Sequence, residues 1–361
     1  MKPMDHGKHV FVALSGGVDS TVCAARLLED GYQVTGIHME TWKIPENEKL
    51  AQQHHTSLNL SQQTADFLGI PMISLDLREQ FFTEVVQTFI RDYLKGQTPN
   101  PCLFCNPQIK WGVLQSYALT HGGDYFATGH YARIRRLESG TVELLKGVDG
   151  SKDQSYVLSM LSQQQLSRSL LPIGSMTKDA VRIEAQQLSL ELADRQDSQD
   201  LCFLGDTNYR DFLKHYAPEA YHPGEIVTTK GRVVGEHQGL AFYTVGQRKG
   251  IRVAAAVPYY VVDKDLEHNR LIIGSSDLAQ SDRLTAKHLN WIGGKPPTAG
   301  KTYDVMVRYR AKPIQAELFL VSNDAFQLKF NERLRGITPG QVAALYEGEV
   351  CLGGGVIQSS G

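Results

Sequence analysis

Ala13-Leu14-Ser15-Gly16-Gly17-Val18-Asp19-Ser20 is the stretch on which the reading of this chain turns. Before it, His9 to Leu14 (HVFVAL) is a short apolar run of the kind found in buried parallel strands. After it, Val18, Thr21, Val22, Ala25 and Leu28 fall on one face of a helix, with Gly31 as a natural stop. A strand therefore feeds a helix through two glycines. Gly16 and Gly17 remove two Cβ atoms, so backbone N–H groups can close around phosphate oxygens, and the helix N-terminus adds its positive dipole end. Ser15 and Ser20 offer hydroxyl donors, and Asp19 offers a carboxylate for Mg²⁺. No Lys-Ser/Thr pair follows, so the pattern for γ-phosphate chemistry is absent, and the loop also fails the dinucleotide pattern GxGxxG. The residue types alone leave open a plainer reading, an N-capped helix after a tight turn.

Working outward, Gln33–Met39 and Pro71–Leu77 read as further strands. Phe81, Phe82, Val85, Val86, Phe89, Ile90, Tyr93 and Leu94 form a wide apolar helical stripe that Gly96 ends. Asp124–Ile134 reads as another strand, broken by Thr128-Gly129-His130. Strands alternating with helices predict an α/β domain with a doubly wound, mostly parallel sheet. From Lys152 to about Leu213 the pattern is helical. Beyond Tyr221, short alternating segments take over: Glu225–Val227, Arg232–Val234, Tyr259–Asp263, Arg270–Ile273, Tyr303–Tyr309, Gln315–Leu320, Gln327–Phe330 and Gln341–Leu345. They predict antiparallel sheet or barrel, with Gly293–Pro297 as a loop. Breaks near 205 and 275 divide the chain into 1–205, 206–275 and 276–361.

With 361 residues, 42% of them hydrophobic and 21% charged, the composition excludes a disordered or collagen-like chain. The net charge of −2, from 37 basic and 39 acidic residues, excludes a global basic field, so nucleic-acid binding must rest on local patches. No stretch approaches the ~20 apolar residues of a membrane span, and Met1–His9 has no apolar run. We expect no signal peptide, no membrane association and a cytoplasmic location.

The five cysteines, Cys23, Cys102, Cys105, Cys202 and Cys351, argue by odd number and chain length against a disulfide framework. Cys102 and Cys105 lie in Pro99–Pro107 (PNPCLFCNP), whose three prolines predict a loop. Such a pair can bind metal, act in redox chemistry or position one attacking thiolate. Lys110 and a nearby helix start would favour the thiolate. Cys202, in Asp197–Gly205 (DSQDLCFLG), suits a thiol on a mobile segment, and equally a buried structural one. Cys23 and Cys351 read as packing.

Several strings together, Ala13–Ser20, Thr98–Asn106, Thr128–Arg133 (TGHYAR), Lys152–Tyr156 (KDQSY), Ser198–Gly205 (SQDLCFLG), Tyr243–Gly250 (YTVGQRKG) and Thr338–Gly355, resemble the tRNA-specific 2-thiouridylases in the right order from end to end. Ala13–Ser20 resembles the PP-loop of the ATP pyrophosphatases. The resemblance implies an N-terminal PP-loop domain, a small central domain and a C-terminal antiparallel β-barrel. It implies ATP held by Ala13, Leu14, Ser15, Gly16, Gly17, Val18, Asp19 and Ser20, with Met39 and Gly129 bordering the nucleotide. The implied reaction adenylates the carbon-2 oxygen of the wobble uridine and delivers sulfur from a persulfide on Cys202, with Cys105 as nucleophile. Asn100, Pro101 and Cys102 match the stretch that meets the target base. His130, Lys152, Asp153, Gln154, Arg308, Tyr309 and Gln341 match positions that touch tRNA. The implied partners are tRNAs for lysine, glutamate and glutamine, and a sulfur donor such as a cysteine desulfurase or sulfur-relay protein.

Two features depart from that pattern. Cys102 stands where the commoner family pattern has an Asp acid/base partner. His54–Phe67 (HHTSLNLSQQTADF) lacks the acidic Asp-Ala-Arg string of many members. Because of the first departure, Cys102, Cys105 and Cys202 are expected to converge on one site, either as a persulfide relay run by two of them or as three ligands of a [4Fe–4S] cluster. Two rival readings remain: another PP-loop ATP pyrophosphatase, which would need neither Cys105 nor Cys202, and an RNA-binding redox or metal sensor without chemistry.

Overall fold

The computed structural model describes residues 7–44, 48–188, 201–205 and 207–360. Its first sheet is parallel, in the order β3 (Met72–Asp76), β2 (Gln33–Glu40), β1 (His9–Leu14), β4 (Tyr125–Ala127), β7 (Ser169–Leu170). Val10, Phe11, Val12 and Leu14 of β1 are buried, as expected of a central strand covered on both faces. Helix α1 (Val18–Glu29) follows β1 directly, and α2 (Glu48–Leu68) connects β2 to β3. The apolar stripe from Phe81 lies on a continuous helical run over 78–94, in which Phe81, Val85, Val86, Phe89 and Tyr93 are buried. Because β2 and β4 flank β1 on opposite sides, the chain order reverses beside the carboxyl end of β1. Ligands of open α/β sheets bind at such a switch point.

The segment expected as one broken strand over Asp124–Ile134 is two strands in two sheets. After β4 the chain leaves the parallel sheet at Thr128-Gly129-His130. It then forms a hairpin of β5 (Ala132–Arg136) and β6 (Val142–Lys146). Residues 210–275 include a four-stranded sheet in the order β10 (Tyr260–Asp265), β11 (Arg270–Gly274), β8 (Gly224–Thr228), β9 (Val233–His237), in which only the β11–β8 pair is parallel.

The last six strands form a closed antiparallel barrel: β12 (Gln280–Trp291), β15 (Ala325–Arg335), β14 (Ile314–Ser322), β13 (Thr302–Met306), β16 (Val342–Glu347) and β17 (Val350–Ser360), with β17 returning to β12. The start of β17 also pairs with β6, Val350 with Leu145 and Cys351 with Leu144, so the first domain's hairpin is stitched onto the barrel. One core cluster accordingly joins Phe11, Trp111, Phe126 and Leu144 to Ile292, Met306, Ala344 and Tyr346. The predicted strand Tyr303–Tyr309 ends early, at Met306. Arg308, Tyr309 and Arg310 form a turn in which Arg310 has a φ of 60°, so the two arginines do not share a strand face. No helix of the described residues is long and apolar enough to cross a membrane.

Candidate active site

The phosphate loop lies where β1 meets α1, and its shape depends on two glycines. Gly16 has a φ of 72°, and a Cβ there would lie 2.7 Å from Leu60 Cβ and 2.9 Å from the Ser57 carbonyl oxygen. Gly129, at the exit of β4, has its Cα pressed on the loop from the other side. A Cβ there would lie 2.9 Å from the Asp19 carbonyl group and 3.0 Å from the Ser20 nitrogen. The Ser20 hydroxyl donates to the Gly17 carbonyl at 2.9 Å, and the Ser15 backbone N–H donates to Ser20 Oγ at 3.2 Å. Met39 sits at the end of β2, one residue beyond the Leu14–His38 register pair. Met39 and Gly129 thus lie on strand ends to either side of the loop.

Helix α2 holds the same loop from outside. Ser57 Oγ donates to the Ser15 carbonyl at 3.0 Å, Ser61 Oγ to the Leu14 carbonyl at 3.3 Å, and Thr64 Oγ1 lies 3.3 Å from Thr21 Oγ1. Nδ1 of the buried His38 lies 3.1 Å from the Leu14 oxygen and 2.9 Å from Ser61 Oγ. The segment His54–Phe67, singled out in sequence for the acids it lacks, therefore supplies hydroxyls at helical spacing. That spacing was the available signal.

Asp19 is not open to a metal as expected. Its carboxylate pairs with Lys178 Nζ at 2.8 and 2.9 Å and accepts the Tyr131 hydroxyl at 2.6 Å. A carboxylate already neutralised by a buried lysine is a poor Mg²⁺ ligand.

The cysteine pair is not in a loop. Cys102–Cys105 is one helical turn that runs on through a π-helical stretch, Asn106–Leu114. Pro101 starts it, its carbonyl accepting the Cys105 N–H at 2.8 Å, and Asn100 Oδ1 accepts the Cys102 N–H at 3.1 Å. The spacing i, i+3 puts both sulfurs on one face. The buried Asn106 pins the turn by donating to the Val157 carbonyl at 2.9 Å. Cys105 is buried, whereas Cys102 and Cys202 are exposed.

Phe203 and Leu204 are buried, and the Phe203 ring packs against Phe81, Phe89 and Phe212 at 5.3 to 6.1 Å. Residues 197–200 of the expected mobile segment lie outside the described residues. The three thiols are near enough to couple electrostatically, Cys105 with Cys102 and Cys202, and Cys202 with Cys102. Burial pushes Cys105 up to about 12 and Cys202 up to about 11, and raises Cys102 as well. At all three thiols desolvation outweighs the nearby cations, opposite to the thiolate-favouring effect expected of Lys110. Lys110 opposes the rise at all three, and Lys43, which sequence reasoning missed, opposes it at Cys202. Lys110→Met should raise all three thiols further. Alkylation of Cys102 and Cys202 by iodoacetamide at pH 8 should slow by up to about tenfold, the factor for one pKa unit. Equal rates in both proteins would show that the Lys110 charge does not govern these thiols.

His130 connects the two halves of the site. It follows Gly129 directly, its Nδ1 lies 2.7 Å from Thr128 Oγ1, and its Nε2 lies 3.5 Å from Lys110 Nζ. Burial, with Lys110 beside it, holds its pKa well below 6.5, so the ring is neutral at pH 7.

The other residues matched to tRNA contacts are spread more widely. Asp153 accepts from the Gly147 and Ser155 N–H groups, and Gln154 Oε1 accepts the Tyr131 N–H at 2.9 Å, so both serve their own chain. Lys152 is half-buried, Arg308 is exposed, and Tyr309 stacks near Tyr156 at 6.4 Å. Gln341 reaches the cysteine segment from the barrel: its Nε2 donates to the Thr98 carbonyl at 2.7 Å, while the Thr98 N–H donates to the Pro339 carbonyl. Lys264, from the central sheet, donates to the Gly96 carbonyl at 2.8 Å. All three parts of the chain therefore meet at 96–98, just before Asn100.

Comparison with known proteins bears on the chemistry of this site. The tRNA methyl transferase HUP domain matches residues 8–206, the tRNA methyl transferase PRC-barrel domain residues 210–275, and the aminomethyltransferase beta-barrel domain residues 281–357. Those descriptions speak of methyl transfer, but the full-length relatives do not. The tRNA-specific 2-thiouridylase MnmA of Carboxydothermus hydrogenoformans is 44% identical over 97% of this chain and 98% of its own length. Its namesake in Cupriavidus metallidurans is 41% identical over 98% and 99%, and that in Shewanella oneidensis 39% identical over 99% and 98%. With identity of this order running through all three domains, the chain is an enzyme of tRNA sulfur transfer and belongs to the tRNA-specific 2-thiouridylase family.

Proposed function

We propose that this enzyme uses ATP to adenylate the carbon-2 oxygen of the wobble uridine in tRNA, then replaces that oxygen with sulfur carried as a persulfide on Cys202. The supporting observation is the run Gly129-His130, in which Gly129 borders the phosphate loop while the next residue reaches Lys110, whose charge acts on the three thiols. The uridine oxygen attacks the α-phosphorus and pyrophosphate leaves. The Cys105 thiolate attacks Cys202 Sγ, a Cys105–Cys202 disulfide forms, and the outer sulfur departs as hydrosulfide. Hydrosulfide adds to carbon 2 and expels AMP. A thiol reductant then reopens the disulfide, and the sulfur donor reloads Cys202. A base must leave its stack to enter such a site.

We assign contact with that base to Asn100, Pro101 and Cys102, on the entry to the helical turn. We assign tRNA contact to His130, Lys152, Arg308, Tyr309 and Gln341, and a supporting role beneath that surface to Asp153 and Gln154. The tRNAs for lysine, glutamate and glutamine are the expected substrates, in the cytoplasm. The expected sulfur donor is a cysteine desulfurase or relay protein.

The residues present do not fit a [4Fe–4S] cluster. Among the described residues no three His, Cys, Asp or Glu side chains come together as metal ligands. We therefore derive no step through a cluster, and assign no Mg²⁺ ligand to the chain beyond what ATP itself carries. Incubation of unmodified tRNA with the enzyme, ATP and a persulfide donor should yield AMP, pyrophosphate and a wobble nucleoside heavier by the oxygen-to-sulfur exchange. AMP release that ignores tRNA, or no sulfur in the nucleoside, would sink the assignment.

A further inference from the structure

Asp19 is reached from the 149–154 loop by two separate arms. In the first, Gln154 Oε1 accepts the Tyr131 N–H at 2.9 Å, and the Tyr131 hydroxyl donates to Asp19 Oδ1 at 2.6 Å. In the second, Asp149 Oδ2 accepts the Lys178 N–H at 2.9 Å, and Lys178 Nζ donates to both Asp19 oxygens at 2.8 and 2.9 Å. Lys178 opens the helix Lys178–Gln187, so Asp149 satisfies an N–H of a first turn that has no partner within the helix, where a negative charge is also favoured. Both middle residues are buried, Tyr131 at 3% exposure and Lys178 at 6%, and the Lys178 ammonium lies 5.8 Å from the centre of the Tyr131 ring. The four contacts therefore form a closed, packed circuit. One end is the phosphate loop and the other is the loop carrying Lys152.

We propose that Tyr131 and Lys178 are positioning residues that tie Asp19 to the 149–154 loop, so that ATP and tRNA bind cooperatively. This rests on the proposed function, in which the phosphate loop holds ATP and Lys152 meets tRNA. A triphosphate arriving at the N-terminus of α1 adds negative charge beside Asp19, whose own charge is balanced by Lys178. The balance among Asp19, Lys178 and the phosphates must shift, and Lys178 carries the shift to Asp149 through its backbone N–H. From the other side, tRNA on the 149–154 loop fixes Asp149 and Gln154, the two acceptors on which the arms depend. Each ligand then favours the arrangement that the other needs, and linkage makes the effect equal in both directions. Neither residue touches the thiols, so neither is a catalytic residue in the sulfur step.

The test is the affinity of the full chain for tRNA with and without α,β-methylene-ATP, which cannot be cleaved at the bond the reaction breaks. The wild-type protein should bind tRNA about fivefold or more tightly with the analogue, the lower range of ordinary coupling. In Tyr131→Phe, which removes one hydroxyl, and in Lys178→Met, that factor should fall towards one while tRNA affinity without nucleotide stays close to wild type. Lys178→Arg, which keeps the cation, should retain part of it. If Lys178→Met does not fold, Tyr131→Phe alone carries the test. A wild-type factor of one, or a factor unchanged in Tyr131→Phe, overturns the inference and leaves the proposed function standing. A wild-type protein that binds no tRNA overturns both.

Discussion

Cys202→Ser should abolish 2-thiouridine formation, by at least three orders of magnitude, while a stoichiometric burst of tRNA-dependent pyrophosphate remains. Adenylation uses the phosphate loop, and the sulfur step uses the thiols. Removing the persulfide carrier stops only the second. Cys105→Ser should behave in the same way, because the outer sulfur then has no thiolate to release it. Cys102→Ala should keep appreciable activity, since two thiols complete the relay and the third lies exposed at the start of the turn. If Cys102→Ala were as dead as Cys105→Ala, the relay would be wrong and a three-thiol site would return.

The pH dependence of thiol reactivity provides a further check. With Cys202 raised to about 11, only a small thiolate fraction exists near neutrality. The sign is that of an acid held protonated, so its alkylation rate should climb about tenfold per pH unit from 8 towards 11. A plateau at pH 8 would mean an activated thiolate and a different resting site. Nucleoside mass analysis, pyrophosphate release and alkylation read the three parts separately.

Gly129→Ala should lower AMP formation about a hundredfold or more with tRNA binding largely retained. The new methyl group would meet backbone, not a side chain that can swing away: the Asp19 carbonyl group at 2.9 Å and the Ser20 nitrogen at 3.0 Å. Either β4 or the phosphate loop must move. Misplacement by about 1 Å near a reacting centre costs about 10²-fold in rate. Of the tRNA contacts we assign, only His130 adjoins that displacement; Arg308, Tyr309 and Gln341 lie on the barrel side. Normal tRNA-dependent pyrophosphate release by Gly129→Ala would separate Gly129 from the nucleotide site.

Much of this was legible in the chain, for reasons that can be stated residue by residue. The parallel sheet was readable because HVFVAL has no polar alternation and runs straight into two glycines before a helix. The closed barrel was readable as short alternating strands, but two of its three longest strands, β12 and β17, were not. His288, with a φ of 53°, and Gly353–Gly355 interrupt their patterns, and β12 has register irregularities against both of its neighbours. The convergence expected of the three thiols rested on the family resemblance together with the departure from it at Cys102. Their protonated state was not legible, because burial is a property of the fold. The prolines around Cys102 were misleading. Pro101 favours a helix start as readily as a loop, and here it starts a turn. Asp19 looked like a metal ligand because nothing in sequence announces that Lys178, far along the chain, arrives to neutralise it.

The seam between β6 and β17 sets an order on synthesis. Residues 142–146 leave the ribosome early, yet the neighbour that completes their sheet is residues 350–351. Until those arrive, β6 offers a bare strand edge, and the core around Trp111 and Leu144 lacks its cover from Met306, Ala344 and Tyr346. An unpaired edge is a template for the wrong chain. The nascent first domain must therefore wait, incomplete, for the end of translation, and a stop codon anywhere before position 350 would strand it in that state.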